Sequence, residues 1–327
     1  MSRRPLISVV SPVYGCTGCL EALADAVRAG FAGRPLDWEL VLVDDRGPDD
    51  PWPRIEELAR RDARVRGVRL MRNHGQHLAI WAGLGAARGD WVAVIDCDLQ
   101  DDPAVIPELH ARAVAEGVDA MLVDRGEWSD TGFRRWASRA FNRALRAATG
   151  LALDPRVGNF GLYSRRLTDT LLSFRDKEVF LPVMVTLTGL PQGRLTLDRA
   201  ARHSGTSAYD FARLMKLALA IVVRFSDRPL KLSAAVGLAF SGLSALVSVL
   251  LVAAWAAGAF TVPGWTSVVL SVWFLAGLIL AVLGVHGVYV GRIFAEVQPR
   301  PRLLVERTTD GAVAEEAPRV VRLGDYL

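Results

Sequence analysis

The sequence predicts an α/β domain built on a parallel sheet and followed by two membrane-spanning helices. Three observations carry this reading. Short apolar runs rich in β-branched residues alternate with helix-spaced segments four times within the first hundred residues, the pattern of parallel strands covered on both faces. Acidic groups stand just past the ends of two of those runs, at Asp44-Asp45 and at Asp96-Cys97-Asp98. No Asp, Glu, Lys or Arg occurs over the sixty residues from Leu232 to Gly291, too long a stretch for one core helix.

The elements follow in order. Ile7 to Val13 (ISVVSPV) reads as a first buried strand, and Leu20 to Ala29 as a helix with Leu20, Leu23, Ala24 and Val27 on one face. Glu39 to Val43 is a second strand and Trp52 to Arg61 a charged helix. Val65 to Met71 is a third strand, followed by Asn73-His74-Gly75-Gln76 and a helix from Leu78 to Ala87. Trp91 to Ile95 is a fourth strand that stops abruptly at Asp96, and Pro103 suits the first turn of the next helix. Val118 to Val123 is a further strand ending at Asp124-Arg125, and Gly158 to Arg166 reads as a strand leading into a helix. The apolar segment 179–190 fits either helix or strand and is too short to span a bilayer.

Two segments are amphipathic. Thr131 to Thr149 carries Arg134, Arg135, Arg139, Arg143 and Arg146 with no acid, and sets Phe133, Trp136, Phe141 and Leu145 at helix spacing. Such a helix suits a membrane interface, a solvated face packed on the sheet, or phosphate binding by planar guanidinium groups. Tyr209 to Phe225 is the second, running toward the uncharged stretch. The tail from Val297 to Leu327 is mixed in charge and contains Pro, and reads as poorly ordered.

The uncharged stretch divides at Pro263-Gly264 into spans of about 232–257 and 265–290, each longer than the ~20 residues needed to cross a bilayer. Arg213, Lys216, Arg224, Arg228 and Lys231 precede the first span, and Arg292, Arg300 and Arg302 follow the second. The loop between carries none, so both termini are expected in the cytoplasm. The N-terminal apolar run is broken too early by Pro12 for a signal peptide. The domain plan is a cytoplasmic unit over 1–207, an interface helix over 208–230, a two-helix hairpin over 231–291 and a tail over 292–327. The net charge of +4 is mild, and with two spans present an anionic membrane surface accounts for it better than nucleic acid. Three cysteines imply no disulfide framework. Cys16-Thr17-Gly18-Cys19 reads as small residues in a strand-to-helix turn, and His74 and His77 as part of a polar loop at a helix start.

The chemistry gathers at Asp96 and Asp98. Ligands bind beyond the carboxyl ends of strands in open α/β sheets. Two carboxylates one residue apart at such an end suit a divalent cation shared with substrate phosphates. A polar strand end with a helix cap accounts for them as well.

The ordered set SVVSPVYG, LVDD, RNHGQ, DCDLQDDP, RRWASRAFN, GNFGLYSRR, RHSGTSAY and FSDRPLK, followed by two spans, resembles family 2 glycosyltransferases of the polyprenyl-phosphate sugar synthase type. The likeness reaches to about Pro301. It implies a GT-A (Rossmann-like) fold and an inverting transfer from a UDP- or GDP-sugar to polyprenyl phosphate, such as undecaprenyl phosphate, at the cytoplasmic membrane face. By the same resemblance Asp96 and Asp98, with Gln100, would hold Mg2+ or Mn2+. Pro12, Tyr14, Asp44, Asp45, Gln76 and Asp96 would line the nucleotide site. Arg125, Arg134 and Ser138 would face phosphates, and Arg202 would close over the site. The partners implied are the donor, the lipid phosphate and the bilayer, with no nucleic acid, and a homo-oligomer is left open.

Three positions depart from the family pattern. Gly15-Cys16 replaces a common Asn-Glu, Ala208 replaces a common Lys, and Asn159, at a catalytic position, replaces a common Asp. Asn cannot act as a base, which a phosphate acceptor tolerates and a hydroxyl acceptor does not. Two other readings stand beside this one: a membrane glycosyltransferase acting on a hydroxyl-bearing lipid, and a non-catalytic membrane scaffold that keeps the fold.

Overall fold

The computed structural model describes residues 3–124, 157–176, 179–196, 228–257, 264–298 and 301–310. The Arg-rich segment 131–149, the amphipathic segment 209–225, and Arg125, Arg134, Ser138, Arg202 and Ala208 lie outside these residues.

Eight described strands form one sheet: β1 (Leu6–Val13), β2 (Asp37–Asp44), β3 (Val65–Leu70), β4 (Trp91–Val94), β5 (Ala120–Asp124), β6 (Val157–Ser164), β7 (Gln192–Thr196) and β8 (Val305–Thr308). Their spatial order is β7-β5-β6-β4-β1-β2-β3-β8. The central strands β4, β1, β2 and β3 are parallel. The first four strands are parallel, as their alternation with helices predicts, and two later strands make the sheet mixed. β6 runs antiparallel between β4 and β5, and β8 runs antiparallel along β3.

The parallel centre follows from its residues. Val9 and Val13 of β1 and Leu40 and Leu42 of β2 point to one face, where helices α1 (Leu20–Phe31), α2 (Trp52–Arg61) and α4 (Ile106–Glu116) cover them. Val10, Val41 and Val43 point to the other, under α3 (Gln76–Ala86), α5 (Arg165–Ser173) and α6 (Leu181–Leu187). Strands buried on both faces need apolar residues at both parities, and that is why they read as continuous apolar runs. The ambiguous segment 179–190 resolves into the short helix α6. α3 seats closely on the sheet: a Cβ at Gly83 would collide with Val10 Cγ1.

The chain order places a switch point at β1. From β1 it winds outward through β2 and β3, then returns to the opposite side of β1 as β4. The loops after β1 and β4 therefore leave neighbouring strand ends in divergent directions and open a crevice.

The described part of the tail, residues 301–310, is ordered against expectation, and residues 311–327 lie outside the described residues. Residues 305–308 pair with β3, Thr309 N donates to Gly67 O at 3.1 Å, and Asp310 pairs with Arg66. Val and Thr types at an otherwise open sheet edge outweigh the mixed charge that made the segment read as disordered.

A second unit holds two long helices, α7 (Arg228–Ala256) and α8 (Trp265–Val297), whose Phe240 and Phe274 rings meet at 5.3 Å. Their limits lie close to the expected spans. Among the described residues one stretch, Phe274–Gly291 in α8, is long and apolar enough to cross a membrane.

Candidate active site

The crevice is walled by three loops, after β1, β2 and β4, and by the start of α3. After β4, Asp96 is half-buried, Cys97 is buried and Asp98 is exposed. Asp98 Oδ1 accepts the Gln100 backbone N–H at 3.1 Å. Between them Leu99 has φ 59°, a left-handed conformation that costs a bulky residue free energy. The strain is held locally, and it turns Asp98 and Gln100 outward. Asp96 is oriented from the side, because Gln76 Nε2 donates to its Oδ1 at 2.6 Å. Gln76 opens α3, directly after Gly75, whose φ of 87° favours glycine.

The Asp pair after β2 supports the site more than it lines it. Asp44 is fully buried, accepts the Arg46 N–H at 2.8 Å and lies 3.1 Å from Arg69 Nε. Asp45 is only 2% exposed and accepts the N–H groups of His74 at 2.7 Å and Gly75 at 2.9 Å. Burial raises both carboxyl pKa values, and these backbone donors oppose it. Besides the nucleotide contacts expected of the pair, the geometry gives Asp45 a structural task. Asp45 fastens the loop that presents Gln76, and Gln76 in turn orients Asp96.

Asp49 carries no distinguishing mark in the sequence, yet it makes the corresponding link to the loop after β1. Its carboxylate accepts Gly15 N at 3.2 Å, Thr17 N at 2.8 Å and Thr17 Oγ1 at 2.7 Å. Partial burial alone would raise its pKa, but the Thr17 and Gly15 hydrogen bonds hold it below the ordinary value. The two loops press so closely that a Cβ at Gly47 would lie 2.7 Å from Asp49 Oδ1 and 2.9 Å from Gly15 N. The only sequence signal for this is an acid-rich turn, a feature common to many loops.

Pro12 is buried near the end of β1, paired in register with Val43, and Tyr14 just beyond is 56% exposed over the crevice edge. Asn159 lies in β6, two residues before Gly161, the partner of Val94. Because β6 is antiparallel to β4, Asn159 sits at the edge where Asp96 begins.

The cysteine expectation is overturned. Cys16 is joined to Cys97 by a disulfide with Cα atoms 6.5 Å apart, and Cys19 is the free thiol. That spacing lies in the range a disulfide spans. The pair is 81 residues apart in sequence and meets because β1 and β4 are neighbours. The C-x-x-C spacing carried no information about it. Proteolysis after alkylation without reductant is expected to yield linked Cys16 and Cys97 peptides with alkylated Cys19. A Cys16–Cys19 link would contradict the assignment.

His77 packs edge-on against Phe180, with ring centroids 4.7 Å apart, and burial pushes its pKa down to about 4 from 6.5. Between those values the unfolded chain binds a proton that the native ring refuses. Stability therefore falls as pH drops from 6.5 toward 4, by about 3 kcal/mol in total. Urea unfolding across that window is expected to show the loss, and His77→Leu to reduce it, with half-buried His74 and His110, whose pKa values burial also lowers, accounting for part of the remainder. An equal loss in the variant would assign the acid sensitivity elsewhere.

The sequence that builds this crevice is shared with known proteins. The model of the family described as glycosyl transferase family 2 matches residues 8–172, from β1 into α5. The chain belongs to glycosyl transferase family 2. The matched span takes in the crevice-forming loops after β1, β2 and β4, and this family 2 protein is a glycosyltransferase. It is 33% identical to an undecaprenyl-phosphate 4-deoxy-4-formamido-L-arabinose transferase of Pseudomonas fluorescens, over 96% of this chain and 93% of the relative. It is 36% identical to the protein of the same name from Pseudomonas aeruginosa, over 92% and 90%. Among solved structures it is similar to a mannosyltransferase from Pyrobaculum calidifontis solved with GDP-Man and Mn2+, at 17% identity, a TM-score of 0.48, and coverage of 91% and 89%.

Proposed function

We propose that this family 2 enzyme transfers a sugar, with inversion, from a nucleotide-sugar donor to undecaprenyl phosphate at the cytoplasmic face of the membrane. The observation that carries the reading is the turn after β4. It sits at the switch point and projects Asp98 outward, while Gln76 fixes Asp96 beside it. The names of the Pseudomonas relatives support undecaprenyl phosphate as the acceptor.

Asp96 and Asp98 fit a divalent ion. They offer hard carboxylate oxygens at an exposed turn, and no described cluster of three His, Cys, Asp or Glu side chains closes around them. Donor phosphate oxygens would share such an ion with these carboxylates. Mg2+ or Mn2+ bound there would supply Lewis-acid neutralisation of the leaving diphosphate. Gln100 borders the same turn. Pro12, Tyr14, Asp44, Asp45 and Gln76 are assigned to the nucleotide site, with Asp45 and Gln76 also positioning Asp96. Arg125, Arg134, Ser138 and Arg202 are assigned to phosphates and closure on the family resemblance.

The reaction needs little proton chemistry. A lipid phosphate oxygen attacks the anomeric carbon opposite the departing nucleoside diphosphate. The carbon–oxygen bond to the donor breaks, and its electron pair leaves with the diphosphate. A phosphate monoester has a second pKa of about 6 and is already an anionic nucleophile near neutral pH. Asn159 at the site edge accepts no proton, and none needs to be taken.

The membrane assignment rests on α7 and α8 as two spans with both termini in the cytoplasm. Leu246, Val249 and Leu250 of α7 and Ile279, Leu280 and Leu283 of α8 are exposed apolar side chains suited to lipid. Chain connectivity supports an even number of crossings. β7 precedes the helices, β8 follows them, and both belong to one sheet. The catalytic unit is therefore assigned to 1–207 together with residues 301–310, with the interface helix at 208–230.

The test is a transfer assay with the full chain in detergent, undecaprenyl phosphate, Mn2+ and labelled UDP- and GDP-sugars. A metal-dependent lipid-linked product from one donor is expected. Nucleotide binding without any such product, across all donors, would point to the scaffold reading.

A further inference from the structure

The turn after β2 is the junction of the site, since Asp45 holds residues 74–75 and Asp49 holds residues 15–17. Its backbone is unusual. Arg46 has φ 55° and Asp50 φ 39°, both in the left-handed region that favours glycine. Such a turn needs outside support, and Arg46 collects it. Its N–H goes to Asp44, its Nε donates to Leu70 O at 3.0 Å, and its Nη2 pairs with Glu306. Glu306 belongs to β8 and also lies 3.7 Å from Arg69 Nε. Arg69 in turn reaches Asp44 at 3.1 Å and Asp50 at 2.7 Å, so one charge cluster grips both ends of the turn.

Glu306 is well placed to matter. Exposed ion pairs contribute little, but here the side chains of Arg46 and Glu306 are only 34% and 26% exposed. The strand that carries Glu306 is fastened independently. Arg307 lies over Trp52 at 5.7 Å and also pairs with Glu306 at 3.2 Å, while Asp310 pairs with Arg66 at 2.9 Å and Arg88 at 2.8 Å without touching Glu306.

We propose that Glu306 is a positioning residue for the donor site. By holding Arg46, it sets the turn that carries Asp45 and Asp49, so donor binding depends on the segment that follows the two long helices. This rests on the nucleotide-sugar reading above. The competing role for β8 is simple cover for the edge strand β3, in which case the Glu306 carboxylate has no special place.

The experiment uses the full chain in detergent. UDP and GDP binding with Mn2+ is measured by calorimetry, and donor KM and kcat by transfer assay. Glu306→Ala is expected to weaken nucleotide binding and raise donor KM by about fivefold to tenfold, the lower end of what coupled sites transmit, with kcat nearly unchanged. Arg46→Ala should do the same or more, since it also loses its bond to Leu70 O, and the double variant should fall well short of the sum of the two because they share the Arg46–Glu306 pair. Glu306→Gln, which keeps an acceptor oxygen, should fall between. Asp310→Ala, beside the same strand and paired with Arg66 and Arg88 and not with Glu306, should leave donor KM nearly unchanged.

Wild-type affinity in Glu306→Ala, additive effects in the double variant, or an equal KM rise in Asp310→Ala would each overturn the proposal. Failure of the wild-type protein to bind either nucleotide would overturn the donor reading along with it. Normal wild-type binding with an unaffected Glu306→Ala would overturn the positioning role alone.

Discussion

Asp98→Ala is expected to lower kcat/KM by about a thousandfold, the scale on which one preorganised electrostatic contact to a leaving group acts. The side chain is exposed and its described hydrogen bond is to the Gln100 N–H of its own turn. Folding stability should therefore change by no more than about 0.5 kcal/mol, as for other surface substitutions. The pairing of a large kinetic loss with an unchanged melting temperature is the informative result. Gln76→Ala should cost less, about tenfold to a hundredfold, because it only orients Asp96, as an outer partner of a metal ligand does. Raising Mn2+ should recover part of the Gln76→Ala loss and little of the Asp98→Ala loss. Full activity in Asp98→Ala would remove the turn after β4 from the reaction.

The second large effect is on both stability and activity. Asp45→Ala removes a buried carboxylate that accepts two backbone N–H groups, from His74 and Gly75. A hydrogen bond to a charged group is worth about 1.5–3 kcal/mol, and the two N–H groups are left without their acceptor. A loss of about 3 kcal/mol in unfolding free energy is expected. Activity should also fall, since the released loop no longer presents Gln76 to Asp96. Asp45→Asn keeps one acceptor oxygen and should lose about half as much stability. Denaturant unfolding of the three proteins, with transfer rates at one donor concentration, checks both effects. Equal stability in Asp45→Ala and the wild-type protein would mean that the loop is held by other contacts.

Much of this is legible in the sequence because it is written in local pattern. The strands at Leu6–Val13 and Asp37–Asp44 are buried on both faces, so their apolar runs are nearly continuous. Asp96 and Asp98 stand out because carboxylates interrupt such a run abruptly. The long helices stand out because sixty residues without a formal charge far exceed the length of one core helix. What is not legible depends on contacts between distant segments. β8 is short and charged, and only the open edge of β3 gives it a partner. Cys16 meets Cys97, not Cys19, because β4 returns beside β1. Asp44 and Asp45 read as pocket residues because they follow a strand. Their burial under Arg69 and the His74–Gly75 amides, which only the packing reveals, gives them a supporting task that the sequence does not show.

The central claim is that the nucleophile is a lipid phosphate and that the site therefore needs no base. The most direct measurement compares undecaprenyl phosphate with undecaprenol as acceptors for the same donor, with Mn2+, from pH 6.5 to 8.5. A lipid-linked sugar is expected from the phosphate alone, with a rate that varies little over that range, because the acceptor's second pKa of about 6 lies below it. Comparable product from undecaprenol would contradict the claim and would require a base in the site that Asn159 cannot provide.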